Sequence, residues 1–140
     1  MKKIIQSLIL ILAISTHVIA AEKYQPDTGD KELDNLLLQI HKKNNRKNIN
    51  KLSQFVDKVS EEFQIPPQKV EALFNHYEFN AADVLMSVSI ADVSGEPLQN
   101  IAGVYFKHKS SGWRYALKQL NINKNSSVYL QIKKDAGADY

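Results

Sequence analysis

The chain has 140 residues, a formal net charge of +3 and no cysteine. The absence of cysteine excludes thiol catalysis, a lipid-modified cysteine after a leader, and every zinc or iron–sulfur site with Cys ligands. Once a short leader is removed, about 120 residues remain, which suffice for one domain but not for two.

The first residues have the order of an export signal. Lys2 and Lys3 precede an apolar run over residues 4–14, and Ala20 and Ala21 follow a short polar stretch. The run is shorter than the roughly 20 residues that span a membrane. We predict a signal peptide over residues 1–20, cleaved near Ala20, and a periplasmic or secreted protein. The rest divides into a flexible lead (21–30), a helical domain (31–134) and a frayed tail (135–140).

Three helices are predicted in the first half of the chain. The first falls within residues 27–45 with Asp30 as its N-cap, and the second runs from about Asn48 to Phe63. Pro66 and Pro67 open the third, since proline is favoured in the first turn of a helix.

A fourth helix is predicted to begin after Asn80 and to form the centre of the fold. Asp83 follows the cap by three residues, as in a capping box with a shorter acid. Apolar residues then cover nearly every side of the segment up to Val93, which is typical of a buried central helix. Gly95 ends it.

The last third of the chain continues the helical pattern. Pro97 begins a fifth helix, and residues 111–112 break the chain before a sixth, which buries Trp113 and ends near Ile122. A last helix of one or two turns follows a cap at residue 125 or 126. Glycine and proline thus separate periodic segments, which predicts a single compact all-α domain of five to seven short helices.

Two helix–turn–helix units resemble each other. Residues 66–74 match residues 97–105 with an offset of 31, and residues 85–90 match residues 117–122 with an offset of 32. Two interpretations stay open. The units are a duplicated hairpin that builds a shared groove, or they show the similarity that helical periodicity imposes on any two amphipathic hairpins.

Charge is distributed unevenly along the chain. No Asp or Glu occurs between Pro97 and Lys134, where seven basic residues lie, whereas residues 22–96 contain thirteen acids and nine bases. A basic half of this kind attracts anions. Alternatively, its lysines form a solvated face, or the two halves neutralise each other within the fold.

We therefore expect a non-enzymatic interaction module. Its basic half would contact an anionic envelope component, either a lipid headgroup or lipopolysaccharide, or an acidic protein. Aromatic rings beside cations suit such interfaces. The expected binding residues are Lys107, Lys109, Arg114, Lys118 and Tyr115.

A second hypothesis is a small envelope enzyme, or a ligand or metal binder, around His76, Glu78 and Asp83. These residues straddle a predicted helix end. The sequence contains no HExxH, no Gly-x-Ser-x-Gly and no glycine-rich phosphate loop. We therefore assign no catalytic residue, no metal ligand and no cofactor.

A lesser alternative is nucleic-acid binding. Residues 111–122 have the apolar spacing of one helix of many helix-turn-helix DNA readers, in a basic surround. The predicted export argues against a genomic target.

Several short motifs follow one another in a specific order. They are Thr28-Gly29-Asp30, Ala82-Asp83-Val84, Ser94-Gly95-Glu96-Pro97, Gly112-Trp113 and Leu120-Asn121-Ile122. In this order the chain resembles a group of small uncharacterised exported helical proteins of proteobacteria, which share a Ser-Gly-x-Pro turn and a Gly-Trp helix. Arg114 and Asn121 stand where that group has glycine. The resemblance implies export and an all-helical fold, and it implies no activity.

Overall fold

Seven α-helices and one short 3-10 turn form the part of the chain that the computed structural model describes, residues 23–140. The predicted signal peptide, and residues 21–22 of the lead, lie outside this range. The all-α prediction is confirmed, with no strand among the described residues. The helices are α1 (Lys31–Lys43), α2 (Ile49–Glu62), α3 (Pro67–His76), α4 (Ala81–Ser94), α5 (Leu98–Lys107), α6 (Gly112–Gln119) and α7 (Ser127–Ala136), with the 3-10 turn at Lys109–Ser111.

Helices α1, α4 and α7 begin at caps that the sequence predicts, and α2 begins after Asn48, near its predicted start. The side chains of Asp30, Asn48, Asn80 and Ser126 accept hydrogen bonds from backbone N–H groups of the first turns of α1, α2, α4 and α7. Each cap satisfies a donor that has no partner within its helix. Pro67 occupies the first turn of α3, where a missing N–H costs nothing.

Helix α4 is the centre of the fold, as predicted. Every residue from position 81 to position 90 is buried, and α1, α2, α3, α5 and α7 all contact this helix. Its buried hydroxyls are satisfied: Ser87 donates to the carbonyl of Asp83, and Ser89 donates to the Asp135 carboxylate of α7 at 2.5 Å. Between residues 23 and 140, no helix combines the length and apolar character that crossing a bilayer requires.

Residues 23–30, which we term the strap, form an extended segment fixed against α6. The backbone N–H groups of Trp113 and Arg114 donate to the carbonyls of Pro26 and Asp27, at 2.9 and 2.7 Å. The buried Thr28 donates from both its backbone N–H and its hydroxyl to the Asp34 carboxylate. These hydrogen bonds join the described part of the lead, which we predict to be flexible, to α6 and α1.

The C-terminal residues are also ordered. Helix α7 continues to Ala136, and Tyr140 is buried with its ring 5.9 Å from that of Phe55. The Tyr140 hydroxyl donates to the Glu62 carboxylate at 2.6 Å. Within the predicted tail, residues 135–140, an aromatic residue thus contacts α2.

Two details of the predicted organisation differ from the structure. Helix α6 stops at Gln119, before the predicted end near Ile122, and Asn121 has a positive φ of 56° that is incompatible with a continuing helix. The duplicated helix–turn–helix unit is not confirmed, since α4 has 14 residues and α6 only 8.

Candidate functional site

A fully buried carboxylate lies at the beginning of the central helix. Asp83 is in the first turn of α4, and its side chain has no solvent exposure. Its Oδ1 accepts hydrogen bonds from the Tyr24 hydroxyl and from Nε1 of Trp113, both at 3.0 Å. The predicted capping box is thus only half formed. Asn80 caps the backbone N–H of Asp83, but the Asp83 side chain joins the strap and α6 instead of bonding back to Asn80.

The strap reaches Asp83 because one glycine lets it pass close to α6. Gly112 has a φ of +70°, and a Cβ at this position would lie 2.7 Å from the Cβ of Asp27. No other residue type fits such a contact without displacing the backbone. This close approach allows the two backbone hydrogen bonds of the strap, and it places Tyr24 over the carboxylate.

Aromatic rings enclose the carboxylate on one side. Tyr105 and Trp113 stack with ring centroids 3.8 Å apart and an angle of 7° between their planes. Both side chains are almost fully buried. Trp113 therefore belongs to the core, as its position on an apolar stripe predicts. Stacking fixes the indole so that its N–H points to Asp83.

Burial shifts the protonation equilibria of this cluster. Burial raises the pKa of Asp83 above its ordinary value of 3.8. The hydrogen bonds from Trp113 and Tyr24, and the nearby Tyr105, act to lower this pKa but do not cancel the rise. Burial and the negative Asp83 raise the pKa of both tyrosine hydroxyls. The tyrosines are therefore fixed as neutral hydroxyl groups, whereas Asp83 has a proton affinity higher than that of an exposed carboxylate.

His41 of α1 completes the cluster. Its ring centroid lies 4.7 Å from that of Tyr24, and the residue is half-buried. Burial lowers the pKa of His41, with the negative Asp83 acting in the opposite direction and Lys42 in the same one. The lowered pKa favours a neutral imidazole, which keeps one ring nitrogen as an acceptor.

Three residues of this cluster, Tyr24, His41 and Tyr105, border a pocket of about 830 Å³. Strap residues 23–25 and His41 form one part of its wall, and Asn80 and Tyr105 form another. Lys109 and Ser110 of the 3-10 turn lie at its mouth. The Lys109 ammonium donates to the carbonyl of Glu78 at 3.3 Å. The volume is in the range of pockets that hold small molecules.

Two buried side-chain polar atoms have no hydrogen-bond partner among residues 23–140, and both belong to this cluster. They are Nδ1 of His41 and Oδ2 of Asp83. Tyr105 is close enough to the carboxyl group to favour its charged form, yet Oδ2 has no hydrogen bond of regular geometry. An unsatisfied buried polar atom is uncommon in a folded protein and calls for an explanation. Here both atoms belong to one cluster, and three of its residues, Tyr24, His41 and Tyr105, line a pocket.

The structure distributes the predicted basic residues over different environments. Lys107 and Lys118 are exposed and form no ion pair within the described part of the chain. Arg114 pairs with Asp27 of the strap at 3.0 Å. Lys109 is at the pocket mouth, and the half-buried Tyr115 ring lies 4.5 Å from the ring of His108. Arg114 and Lys118 line one pocket together with Lys124, whereas Lys109 lines the pocket beside Tyr24.

Other contacts of the basic half also involve the acidic half. Lys133 pairs with Asp30 at 3.1 Å and with Glu32 at 2.6 Å, and Lys124 donates to the Gly29 carbonyl. The interpretation that the two halves partly neutralise each other within the fold therefore has direct structural support.

The cluster of His76, Glu78 and Asp83 is not formed. His76 and Glu78 are exposed, whereas Asp83 is buried and bonded to Tyr24 and Trp113. Among residues 23–140, no group of three or more His, Asp or Glu side chains could hold a metal ion. Of the three residues, only Asp83 belongs to the candidate site. Proximity along the sequence was misleading because α4 turns Asp83 away from the preceding loop.

Comparison of the chain with protein-family models, with curated proteins and with solved structures gives no match. The resemblance to exported proteobacterial proteins stays a prediction.

Proposed function

We propose that this protein binds a small ligand in the pocket beside Asp83. One observation carries the proposal: both buried polar atoms that have no partner within residues 23–140, His41 Nδ1 and Asp83 Oδ2, belong to the cluster at this pocket. Unsatisfied groups with shifted pKa values, gathered at a pocket of suitable volume, are typical of binding sites.

A purely structural role explains the cluster less well. Burying a carboxyl group costs several kcal/mol unless both of its oxygens are hydrogen-bonded, and apolar residues of similar volume often replace buried polar groups without loss of stability. Asp135 shows what a structural carboxylate looks like in this fold. Its two oxygens accept from Ser89 and Gln131, at 2.5 and 2.7 Å. Asp83 accepts hydrogen bonds of regular geometry on one oxygen only, with Tyr105 close to the carboxyl group.

The single tryptophan makes the proposal measurable. Trp113 stacks on Tyr105 of the pocket wall and donates to Asp83, so its emission should respond when a ligand enters. We would screen a library of sugars, sugar acids, amino acids, nucleotides and small aromatic acids by thermal shift of the purified protein. Compounds that raise the melting temperature would then be titrated while tryptophan emission is recorded.

Variants would locate the binding site. His41→Phe keeps a ring beside Tyr24 but removes the unpartnered nitrogen, and we expect it to weaken binding at least about tenfold, the effect of losing one good hydrogen bond. Tyr129→Phe is the matched control, because Tyr129 is a buried aromatic residue of α7 that does not line the pocket. A ligand that binds both variants equally, or a library without any binder, would contradict the proposal.

A second candidate function is surface contact with an anionic envelope component or an acidic protein. It is favoured by Lys107 and Lys118, which are exposed and have no ion pair with any residue from 23 to 140, and by Phe106, which is 49% exposed next to Lys107. Cations beside an exposed aromatic ring suit attachment to an anionic surface.

Vesicle co-sedimentation tests this second candidate. The protein is expected to bind vesicles with anionic lipid at low salt, and to be released at high salt. The variant Lys107→Glu/Lys118→Glu should lose binding. The control variant Lys51→Glu/Lys69→Glu makes the same charge change at exposed positions of α2 and α3, and it should still bind the vesicles. Equal loss in both variants would show that only net charge matters and would refute a specific basic face.

A further inference from the structure

We infer that the ligand of this pocket has an anionic group, a carboxylate or a phosphate, bound between Lys23 and Lys109 at the pocket mouth. Its opposite end would carry uncharged hydrogen-bonding groups that face Tyr24 and His41. This inference rests on the proposed function and names the chemistry of its ligand.

The pocket mouth is positively charged. Lys23 and Lys109 are the charged side chains that line the pocket, and no Asp or Glu is among its lining residues. Neither lysine forms an ion pair within residues 23–140, whereas Arg114 and Lys133 both do. Two cations that form no ion pair within the described part of the chain, placed at the mouth of one concave site, attract an anion more strongly than isolated surface lysines do.

Lys109 is held in place but keeps binding capacity. Its ammonium donates to the Glu78 carbonyl at 3.3 Å and lies 5.7 Å from the centroid of the Phe79 ring. A lysine ammonium has three donors, and this long hydrogen bond to a neutral carbonyl uses only one of them. The remaining donors can bind a carboxylate or a phosphate oxygen.

Asp83, the carboxyl group of the cluster, is not among the residues that line the pocket. It is fully buried and accepts hydrogen bonds from Tyr24 and Trp113, and burial raises its pKa. Lys42 adds another cation next to His41. The Glu78 side chain is exposed and does not pair with Lys109, which contacts only its backbone carbonyl.

The inner wall offers acceptors and aromatic faces. The Tyr24 hydroxyl donates its hydrogen bond to Asp83, so its oxygen can accept a hydrogen bond from a ligand. The imidazole of His41 lines the pocket beside Tyr24, with its Nδ1 buried and unpartnered among the described residues. A ligand hydroxyl or amine would therefore be matched here, while the rings of Tyr24 and Tyr105 provide apolar contact.

A series of compounds on one scaffold tests the inference. We would measure dissociation constants of glucose, glucuronate and glucose 6-phosphate by tryptophan fluorescence, at low and high salt. The two charged compounds are expected to bind at least about tenfold more tightly than glucose, with the difference reduced at high salt. The tighter of the two identifies the anionic group as carboxylate or phosphate.

Paired variants locate the anion. Lys23→Gln/Lys109→Gln should abolish the preference for charged compounds, and Lys107→Gln/Lys118→Gln is the control with the same charge change outside the pocket. Binding of glucose as tight as that of the charged compounds would overturn the inference while supporting a pocket ligand. A preference lost equally in the control, or no binding of either charged compound, would also overturn it. The proposed function itself is decided separately by the wider library screen and His41→Phe.

Discussion

Asp83 joins parts of the chain that are distant in sequence. Its two donors, Tyr24 and Trp113, are 59 and 30 positions away. A buried carboxylate is tolerated only where such donors reach it, and a hydrogen bond to a charged group contributes about 1.5–3 kcal/mol. Asp83 therefore stabilises the docking of both the strap and α6 on the central helix.

Replacing the indole tests the strength of this connection. Trp113→Phe removes one donor to Asp83 and part of the stacked pair with Tyr105. We expect the free energy of unfolding to fall by about 2–4 kcal/mol, from the lost hydrogen bond and the cavity left behind. Urea unfolding followed by circular dichroism measures this, because the variant has no tryptophan. A loss below about 1 kcal/mol would show that Asp83 does not depend on this donor.

Part of this site could be predicted from the sequence. It predicts that α4 is buried on nearly every side, and Asp83 is within α4, so a buried carboxylate follows from the two together. The capping-box interpretation obscured that conclusion. Tyr24 and His41 could not be found in the same way, because nothing local in the sequence brings the strap or α1 to the beginning of α4.

At the level of elements, caps and turns could be predicted, whereas tertiary anchoring could not. Asp30, Asn48 and Asn80 act on the backbone two or three residues away, so the sequence predicts the beginnings of α1, α2 and α4. The strap and the Tyr140 anchor depend on partners more than 70 positions away. Both segments have the composition of loose ends, and long-range contacts override that composition.

The glycine beneath the strap gives a prediction at this level. Gly112→Ala places a Cβ against Asp27 at a positive φ, and we expect the free energy of unfolding to fall by about 1–3 kcal/mol. Hydrogen exchange should speed up at the amides of Trp113 and Arg114, which donate to the strap.

Gly103→Ala is the matched control. Gly103 lies within α5, and nothing lies within 4 Å of the position of an added Cβ. We expect this change to stabilise the protein by about 0.5–1 kcal/mol, since alanine is the better helix former. Similar destabilisation in both variants would contradict a specific role for Gly112.

For the whole molecule, four tyrosines with raised pKa values predict instability in alkali. Burial raises the pKa of Tyr24, Tyr105, Tyr129 and Tyr140 above the ordinary value of 10.0. Above pH 10 the unfolded chain loses these protons while the folded protein keeps them. The unfolded state then binds fewer protons, so the free energy of unfolding decreases as the pH rises.

Chemical denaturation between pH 8 and pH 11 measures this decrease. Each tyrosine contributes up to about 1.4 kcal/mol per pH unit, and Tyr24→Phe should make the slope shallower by one such contribution. Below pH 9 the free energies of unfolding of the variant and the wild type should differ by an amount that does not change with pH. A slope above pH 10 that is identical in the two proteins would contradict the burial of Tyr24.

The ion pairs of the strap and of α1 also constrain the order in which the chain can fold. Arg114 and Asp27 are 87 positions apart, and Lys133 and Asp30 are 103 positions apart. During synthesis the N-terminal segment emerges first, but its docking surface on α6 and α7 exists only when the last third of the chain is present. Closing loops of this length also carries an entropic cost that only the assembled core can offset. We therefore expect residues 23–30 to stay undocked until translation is nearly complete. The site that they close is then the last part of the protein to form.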